Sequence, residues 1–436
     1  MEQAVVSPCA KVSGSIVVPG DKSVSHRAAM MSSLASGTSE ISGFLRAEDC
    51  LNTLKALETL GAVVKFSGDK ILVTGGKWHQ PEAILDLGNS GTGLRLMAGL
   101  LAGRPWVSEL TGDESLRSRP MQRIKEPLEK MGALLELTGP KGCAPLRIKG
   151  AKLHAIDYQM PVASAQVKSC ILLAALFAEG VTTVIEKEKT RDHTERIFMQ
   201  LGLPLTIEDN KLILHGFGPG GPELPPAKWQ VPGDFSSAAF WLAAAAAKPG
   251  SRVVIRRAGL NPRRTAFLNV LRRMGADIKV ETSEDGNAAE PFGDIIVNGA
   301  RLRRTEVGGE EIPNIIDELP LVAVLGALAD GKTIISGAHE LRLKESDRIA
   351  AMAVNLRLAG VELEEKEDGL VIYGGGKIRG NASVESRGDH RIAMAMTILA
   401  LSAEEGITIR NIACVATSYP SFWDHLRSIG AKVRIS

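Results

Sequence analysis

The chain repeats one short pattern six times: LETLGAVV (57–64), LEKMGALL (128–135), FMQLGLPL (198–205), LRRMGADI (271–278), LRLAGVEL (356–363) and LRSIGAKV (426–433). Each stretch has the form of the last apolar turn of an amphipathic helix followed by glycine. Glycine takes the left-handed conformation that ends a helix without a Cβ penalty. Successive glycines are 71, 70, 73, 85 and 70 residues apart. The spacing therefore predicts six copies of one folding unit.

The segments between these helix ends complete the predicted unit. Two short alternating strands around a polar turn follow several of the glycines, as in VVKFSGDKILVTG (63–75), LTIEDNKLILHG (205–216) and VELEEKEDGLVIYG (361–374). A helix rich in small residues and a β-rich run complete the unit. Solenoid repeats are shorter, roughly 20–45 residues, so we favour two globular domains of three units over a stacked array. The fold class is thus predicted as mixed α/β (α+β).

The two ends of the chain indicate how the units are shared between domains. The last unit ends on one strand, AKVRIS (431–436), without a hairpin partner, and we expect KVSGSIVV (11–18) to supply it. This predicts a discontinuous domain of residues 1–20 and 234–436 and an inserted domain of residues 21–233. The crossovers would fall near Pro19-Gly20 and Pro232-Gly233.

Composition narrows the class of protein. The 436 residues carry 52 basic and 50 acidic side chains, a net charge of +2, which argues against nucleic-acid or membrane-surface partners. The five cysteines are scattered without a C-x-x-C motif, and the histidines form no cluster, so we expect neither disulfides nor a metal. The N-terminus lacks the pattern of a signal peptide. We expect a cytoplasmic protein.

The first two units begin with segments suited to small anions, because helix N-termini present unpaired N–H groups and a positive dipole end. PGDKSVSHR (19–27) places Lys22, Ser23 and Arg27 on the first two turns of a helix. It is not a P-loop, since Asp21 stands where glycine would precede the lysine. A lysine-rich solvated helix start is the alternative.

A glycine-rich turn opens the second unit. In LGNSGTGLRLMAG (87–99) the third glycine of a dinucleotide fingerprint is replaced by Leu96, so a Rossmann motif is weakly supported. Gly91 would leave space for a small anion, or the segment is a simple tight turn. Arg119 follows, before Pro120, which we expect to be the first residue of a helix.

The third and fourth units differ in charge. PVASAQVKS (161–169) places Ser164 and Gln166 at a helix start, and KTRDHTERI (189–197) places Arg191 at the next one. GDFSSAAFWLAAAAA (233–247) has no basic residue at its entrance, so packing or a hinge is the expected role there.

The fifth and sixth units contain the residues best suited to proton transfer. In NIIDELPLV (314–322) Asp317 lies near a helix entrance beside an apolar run, where desolvation would strengthen it as a base. In ELRLKESDRI (340–349) Lys344 and Arg348 are four apart and are predicted to share a helix face, although a salt-bridged surface helix would look the same. In RGDHRIAMAM (387–396) Arg391 precedes an apolar helix. Taken together, cations at the helix starts of five units predict a cationic cleft between the domains for small polyanions.

The motifs PGDKSVSHR, LGNSGTG, SRP, SAQ, LRLKESDR and GDHR, in this order, resemble those of the 5-enolpyruvylshikimate-3-phosphate synthases from about residue 11 to the C-terminus. The resemblance implies two domains of three βαβαββ repeats each, an inside-out α/β barrel, with the active site between them. It implies transfer of the enolpyruvyl group of phosphoenolpyruvate to the 5-hydroxyl of shikimate 3-phosphate, with no metal and no organic cofactor. We expect a monomer.

The resemblance also implies roles for individual residues. Asp317 would be the general base, Glu345 would handle the methylene proton, and Lys22 is a candidate acid. The implied shikimate 3-phosphate contacts are Lys22, Ser23, Arg27, Ser164, Ala165, Gln166, Arg191, Asp317 and Lys344. The implied phosphoenolpyruvate contacts are Lys22, Asn89, Gly91, Arg119, Gln166, Arg348 and Arg391.

Two local features and two rival functions bear on this interpretation. Many relatives carry lysine where CVATSYP (414–420) has Thr417, which leaves one phosphoenolpyruvate contact open. Glycine at position 91 leaves room for glyphosate, so we expect sensitivity to it.

The enolpyruvyl transferases that use UDP-N-acetylglucosamine carry a reactive cysteine in one loop. The corresponding loop here, GDESLRSRP (112–120), contains no cysteine. A non-catalytic phosphometabolite-binding protein would not need Asp317 as a base.

Overall fold

A computed structural model describes residues 2–283 and 289–436. Within these residues the chain forms two compact units. Unit I comprises residues 2–19, 232–283 and 291–436, and unit II comprises residues 20–231 with Ala289 and Glu290. Each unit has its own buried apolar core.

The strands are short, as expected for a chain that turns back often. In chain order they are β1 Gln3–Val6, β2 Ser13–Val17, β3 Thr38–Ser42, β4 Val63–Ser67, β5 Lys70–Thr74, β6 Leu85–Asp86, β7 Val107–Thr111, β8 Leu134–Leu137, β9 Leu146–Lys149, β10 Leu153–His154, β11 Asp157–Gln159, β12 Ala178–Glu179, β13 Val181–Ile185, β14 Leu205–Glu208, β15 Lys211–His215, β16 Lys228–Gln230, β17 Arg252–Gly259, β18 Asp277–Thr282, β19 Phe292–Asn298, β20 Glu306–Val307, β21 Gly331–Ile335, β22 Glu362–Lys366, β23 Gly369–Gly374, β24 Ser383–Glu385, β25 Ile407–Arg410 and β26 Val433–Ile435.

The helices alternate with these strands. They are α1 Lys22–Leu34, α2 Glu48–Thr59, α3 Gly91–Ala102, α4 Gln122–Lys130, α5 Ala165–Ala175, α6 His193–Gln200, α7 Phe235–Ala246, α8 Ala266–Arg273, α9 Ile312–Ile315, α10 Leu319–Leu328, α11 Arg348–Leu358, α12 His390–Ala400 and α13 Phe422–Ser428. Short 3₁₀ turns occupy Leu116–Ser118, Pro140–Gly142, Gly309–Glu311, His339–Leu343 and Ile412–Thr417.

One sheet topology occurs six times, three times in each unit. Its first strand runs parallel to the second, and the fourth lies antiparallel between the second and the third. In the third repeat, for example, Val184 pairs with Tyr158 in parallel and with Leu212 antiparallel, and Leu212 also pairs with Ile207. A helix follows each of the first two strands. The predicted mixed α/β class with βαβαββ repeats is therefore confirmed.

The pairing predicted for KVSGSIVV is wrong. That segment forms β2, which runs parallel to β17 and supplies the first strand of the fourth repeat. The strand that completes the last repeat is β1, which lies antiparallel between β25 and β26. Ala4 and Val6 on β1 are fully buried, as are Ile407 and Ile409 on β25. Four residues are too few for their alternation to be recognised in the sequence, whereas residues 11–18 form a longer and more regular pattern.

The first helices of the repeats form the interior of each unit, and this explains their small residues. In unit II α1 and α5 pack against α3, and in unit I α7, α10 and α12 pack on one another. A Cβ at Gly99 of α3 would come within 2.3 Å of the carbonyl oxygen of Cys170 on α5, so only glycine permits this approach. All twelve residues of α7 are buried.

The starts of these helices are held by side-chain caps. Asp21, Ser90, Ser164, Asp234 and Asp389 each accept a hydrogen bond from a backbone N–H in the first turn of α1, α3, α5, α7 and α12. Such caps satisfy N–H groups that would otherwise lack partners. Among the helices that the structure describes, none has the length and apolar character needed to cross a membrane.

Candidate active site

The predicted site residues fall into two groups, one in each unit. In unit II the start of α1 carries Lys22 and Ser23 next to the cap Asp21. Lys22 Nζ lies 3.0 Å from Asp49 Oδ2 on α2, and the side chain of Lys22 is 21% exposed. This contact orients the ammonium group without removing it from solvent. A cation is thus held at a helix N-terminus, where anions bind most readily.

Arg27 lies one turn further along α1 and is buried. Its Nε donates to Thr194 Oγ1 and its Nη2 donates to Ser169 Oγ, both at 2.7 Å. Its Nη1 donates to the carbonyl oxygen of Ser23 at 2.9 Å. Burial lowers the pKa of Arg27 to about 10, with Glu195 opposing the decrease and Arg191 adding to it. Arg27 is therefore still a cation at neutral pH.

His26 was not singled out in the sequence, yet it joins three helices of unit II. Its Nδ1 lies 2.8 Å from Thr53 Oγ1 on α2, and its Nε2 lies 3.2 Å from Ser90 Oγ at the start of α3. Burial, followed by the charges of Lys22 and Arg27, lowers the pKa of His26 to about 3. The ring stays neutral at physiological pH and acts as a structural hydrogen-bonding group.

The glycine-rich turn lies against two guanidinium groups. A Cβ at Gly91 would come within 2.9 Å of Arg95 Nη1 and 3.3 Å of Arg119 Nη1. Arg119 donates to the side chain and the carbonyl oxygen of Asn89, at 2.6 and 3.2 Å, and to Ser115 Oγ at 3.0 Å. The backbone at position 91 and these cations therefore border one small region suited to an anion. Arg95, which sequence analysis missed, is four residues after Gly91 on the same helix, and this spacing was the available signal.

The predicted helix start at Pro120 is wrong by two residues. Pro120 forms an isolated antiparallel bridge with Cys143, and Met121 N donates to Gly142 O at 3.0 Å. These contacts keep the chain extended, so α4 begins only at Gln122.

The start of α5 is joined to the glycine-rich turn. Ser164 caps the helix, Ala165 is its first residue, and Gln166 accepts from Arg95 Nη1 at 2.5 Å. The amide of Gln166 also donates to Thr92 Oγ1 at 2.8 Å. Arg191 lies in the loop two residues before α6 and is half-buried. The structure thus links Gln166 directly with the second repeat.

A buried ion cluster behind these residues was also missed. Lys168 is fully buried on α5, and its Nζ lies 2.5 Å from Glu195 Oε1 and 2.9 Å from Glu186 Oε1. Burial raises the pKa of Glu195, and Lys168 partly offsets this. A lysine in the apolar helix QVKSCILLAA gives no sequence signal of its partners, because both carboxylates come from later segments.

In unit I the second group is organised by Arg348, whose side chain is 1% exposed. Its Nε donates to Asp389 Oδ2 at 2.8 Å, its Nη1 to Asp317 Oδ1 at 3.1 Å and its Nη2 to Glu345 Oε2 at 2.5 Å. Burial opposes the charge, but Asp389, Glu345 and Asp317 outweigh it and raise the pKa of Arg348 above its usual range. The two predicted catalytic carboxylates therefore share one guanidinium group.

Asp317 contacts a second cation. Arg391 Nε lies 3.7 Å from Asp317 Oδ1, and Arg391 Nη1 donates to the carbonyl oxygen of Asp317 at 2.9 Å. The following residue, Glu318, is fully buried, and its Oε1 lies 3.8 Å from Arg391 Nη1. The side chain of Glu318 does not cap α10. Both guanidinium groups favour the ionised form of the Asp317 carboxylate, which is the form a base requires.

The fourth repeat does have a basic residue at its first helix, contrary to the sequence interpretation. Arg264 Nη2 donates to Ser236 Oγ of α7 at 2.5 Å and lies 3.6 Å from Asp234, the cap of that helix. The hydroxyl of Ser236 also donates to Glu318. Arg264 belongs to the loop before α8, so only the tertiary fold brings it to this helix start.

The predicted helix face shared by Lys344 and Arg348 is absent. A 3₁₀ turn ends at Leu343, Lys344 is extended, and α11 begins at Arg348 behind its cap Asp347. Asp347 accepts from Ala350 N at 3.0 Å and from Arg342 Nη1 at 2.7 Å, and these contacts fix the helix start there. Arg391 is likewise the second residue of α12 rather than a residue before it.

Within residues 2–283 and 289–436 no cluster of three or more His, Cys, Asp or Glu side chains has the arrangement of a metal site. In the same described residues the five cysteines form no disulfide. Unit II offers cations and helix starts, and unit I offers carboxylates paired with arginines. Together these residue types suit the binding of polyanions and the transfer of protons.

Structural comparison defines the class of the fold. The enolpyruvyl transferase NikO from Streptomyces tendae matches with a TM-score of 0.81, over 100% of this chain and 99% of that one, at 18% identity. At that identity the match establishes the fold alone. The protein thus has the enolpyruvyl transferase fold.

Closer relatives define the family. The model of the EPSP synthase family (3-phosphoshikimate 1-carboxyvinyltransferase) matches residues 6–426. The 3-phosphoshikimate 1-carboxyvinyltransferase of Akkermansia muciniphila is 50% identical over 421 residues, 94% of this chain and 95% of the relative, and that of Bacillus subtilis is 44% identical over 422 residues, 96% and 97%. The EPSP synthase structure from Acinetobacter baumannii matches with a TM-score of 0.87 at 41% identity, over the full length of both chains. The chain belongs to the EPSP synthase family.

Proposed function

We propose that the protein transfers the enolpyruvyl group of phosphoenolpyruvate to the 5-hydroxyl of shikimate 3-phosphate and releases phosphate. Its membership of the EPSP synthase family supports the reaction. The observation that carries the chemistry is the pair of carboxylates on one buried guanidinium: Asp317 and Glu345 lie 3.1 and 2.5 Å from Arg348. Their side chains are 14% and 19% exposed, so both carboxylates remain partly accessible.

The addition step needs two proton transfers of opposite direction. The 5-hydroxyl loses a proton as it attacks C2 of phosphoenolpyruvate, and C3 gains one to become a methyl group. Asp317 acts as the base for the hydroxyl, because two guanidinium groups beside its carboxylate favour the ionised form. Glu345 handles the proton of the methylene carbon, and Lys22 is the alternative acid. In the elimination step the C2–O bond to phosphate breaks and C3 gives its proton back, so that the double bond forms again, phosphate leaves and the enolpyruvyl ether remains.

The cations bind the two substrates. The proposed contacts of shikimate 3-phosphate are Lys22, Ser23, Arg27, Ser164, Ala165, Gln166, Arg191 and Lys344. The proposed contacts of phosphoenolpyruvate are Lys22, Asn89, Gly91, Arg119, Gln166, Arg348 and Arg391. The support is chemical: helix starts and guanidinium groups in partly dry surroundings bind phosphate and carboxylate strongly. We also propose that the protein is cytoplasmic and monomeric; its five scattered cysteines, which form no disulfide among the described residues, suit a reducing compartment.

The sister reaction on UDP-N-acetylglucosamine is less well supported. Residues 112–120, GDESLRSRP, contain no cysteine. Asp113 in this loop instead accepts hydrogen bonds from Leu116 N and Asn89 Nδ2, at 2.8 and 2.7 Å. The loop is thus built to support Asn89 and Arg119 rather than to present a nucleophile.

A phosphate-release assay tests the proposal. Phosphoenolpyruvate is supplied with either shikimate 3-phosphate or UDP-N-acetylglucosamine, and only the first pair should release phosphate. Asp317→Ala should bind both substrates with nearly unchanged affinity while turnover falls about 100-fold or more, as expected for loss of a general base. Asp330→Ala, an exposed aspartate of the same unit paired with Arg301, is the control and should behave as wild type. Release only with the nucleotide sugar would contradict the proposal.

A further inference from the structure

The surroundings of Arg27 contain a closed ring of hydrogen bonds. Arg27 Nε and Nη2 each donate to a hydroxyl oxygen at 2.7 Å, those of Thr194 on α6 and Ser169 on α5. The two hydroxyls are themselves joined, because Thr194 Oγ1 donates to Ser169 Oγ at 2.7 Å. Two adjacent nitrogens of a planar group held in this way define both its position and the orientation of its plane.

The partners of Arg27 differ in kind from those of Arg348. Arg348 contacts three carboxylates, which compensate its charge. The hydrogen bonds that Arg27 makes within the described residues go to two hydroxyls and one carbonyl oxygen, all uncharged. A guanidinium group has five N–H donors, so these three hydrogen bonds leave two for a ligand. Arg27 is only 5% exposed, and a bound anion would meet its charge with little screening by water.

A second pair of side chains fixes the helices that carry the two hydroxyls. Lys168 precedes Ser169 on α5, and Glu195 follows Thr194 on α6. Lys168 Nζ lies 2.5 Å from Glu195 Oε1, and both side chains are at most 3% exposed. The ion pair and the hydroxyl pair therefore lie side by side, and together they hold the start of α6 against α5. The positions of the two hydroxyl groups are therefore fixed by the packing of these helices.

We propose that Thr194 and Ser169 are positioning residues for substrate binding: they fix the plane of Arg27 so that its remaining N–H groups face an anionic group of shikimate 3-phosphate. This inference rests on the proposed function, since it names the residues that position one arginine of that site. None of the contacts proposed for phosphoenolpyruvate is Arg27, Thr194 or Ser169, so its binding should depend less on this ring.

Thr194→Val removes the acceptor of Arg27 Nε at nearly constant volume. We expect the KM and the Kd for shikimate 3-phosphate to rise about 10-fold, equivalent to about 1.4 kcal/mol, with kcat and the KM for phosphoenolpyruvate changed less than about 2-fold. Thr194→Ser keeps the hydroxyl and should restore most of the affinity. Ser169→Ala removes the other acceptor and should give a similar loss.

Thr182→Val is the matched control. Thr182 lies on β13 of the same repeat, is 1% exposed, and its hydroxyl has no hydrogen-bond partner in the part of the chain that the structure describes. The same substitution there should leave all kinetic constants at wild-type values. Thermal unfolding of each variant identifies any general loss of structure, and if Thr194→Val does not fold, Ser169→Ala and Thr194→Ser carry the test.

Calorimetric binding of shikimate 3-phosphate separates this inference from the proposed function. If the wild-type protein binds the compound, and Thr194→Val binds it about 10-fold more weakly, the positioning role holds even when no turnover is seen. If the wild type turns over but Thr194→Val and Ser169→Ala, both folded, bind within 2-fold of it, the positioning role is overturned while the function stands. A fall in kcat with unchanged affinity for shikimate 3-phosphate also overturns it.

Discussion

Asp389 is the residue whose replacement should most disturb unit I. Its side chain is fully buried and does two things at once. Asp389 Oδ1 accepts from Arg391 N at 2.9 Å and so caps α12, and Oδ2 accepts from Arg348 Nε at 2.8 Å. Asp389→Asn retains the size of the side chain and its ability to cap a helix, since Asn caps as well as Asp. The substitution thus keeps the cap but removes one buried negative charge and places an amide NH2, which cannot accept a hydrogen bond, against Arg348 Nε.

The size of the effect follows from the burial of both partners. Removing one member of a buried ion pair typically costs about 3–5 kcal/mol, because the other charge stays in a dry environment. Arg348 keeps Asp317 and Glu345 at 3.1 and 2.5 Å, so the lower end of this range applies. We expect the free energy of unfolding of unit I to fall by about 3 kcal/mol in Asp389→Asn. Asp389→Ala loses the cap as well and should cost about 1 kcal/mol more.

Asp347→Asn provides a matched comparison. Asp347 caps α11 in the same way and pairs with Arg342 at 2.7 Å, but its side chain is 35% exposed and that of Arg342 is 21% exposed. A pair open to solvent contributes little, so this substitution should cost less than about 1 kcal/mol. Urea unfolding combined with hydrogen exchange of the amides in α11 and α12 measures both losses. Equal destabilisation by Asp389→Asn and Asp347→Asn, within about 0.5 kcal/mol, would refute the reasoning from burial.

Three further outcomes are expected. Wild-type enzyme should be inhibited by glyphosate, whereas Gly91→Ala, whose Cβ would lie 2.9 Å from Arg95 Nη1, should bind it more weakly, and equal inhibition constants would contradict this. Because the pKa of His26 is lowered to about 3, the unfolded state binds the proton first as pH falls below about 6.5. The free energy of unfolding should then decrease on acidification. In His26→Gln this free energy, measured by urea unfolding, should depend less steeply on pH, by up to about 1.4 kcal/mol per pH unit between pH 6 and 4. Lys168→Met leaves Glu186 and Glu195 buried without their cation and should destabilise unit II by about 3 kcal/mol in urea unfolding. Lys130→Met, at a solvent-exposed pair with Glu126, is the control and should leave the stability of unit II nearly unchanged.

Much of the site was predictable because its determinants are local. A helix start is set by a cap and the residues just after it, so Asp21, Ser164 and Asp389 identify their helices within a few positions. Lys22 and Arg391 lie at such starts, as the sequence indicated. Where the prediction failed locally, at Pro120 and at Lys344, a contact from another segment held the chain extended or moved the helix start.

The partners of buried charges were not predictable. Arg264 reaches the start of α7 from a loop after β17, and Lys168 meets carboxylates 18 and 27 positions further along the chain. Nothing in a window of neighbouring residues carries such information. His26 belongs to the motif PGDKSVSHR, but its role was not predictable for the same reason, since its hydrogen-bond partners Thr53 and Ser90 come from other segments.

The sequence by itself determined the sixfold repeat, the two helices and the strand pair of each unit, and the positions of most helix starts, because glycine caps, side-chain caps and apolar periodicity act over a few residues. Only the tertiary structure decided which strands complete the repeats. QAVV closes the last sheet and GSIV opens the fourth, since burial of apolar faces against distant strands selects the pairing. The tertiary structure also decided that Asp317 and Glu345 share Arg348, while Arg27 is held by hydroxyl groups. These contacts could not be predicted because they bring together groups that are far apart in the sequence and meet only in the low-dielectric interior.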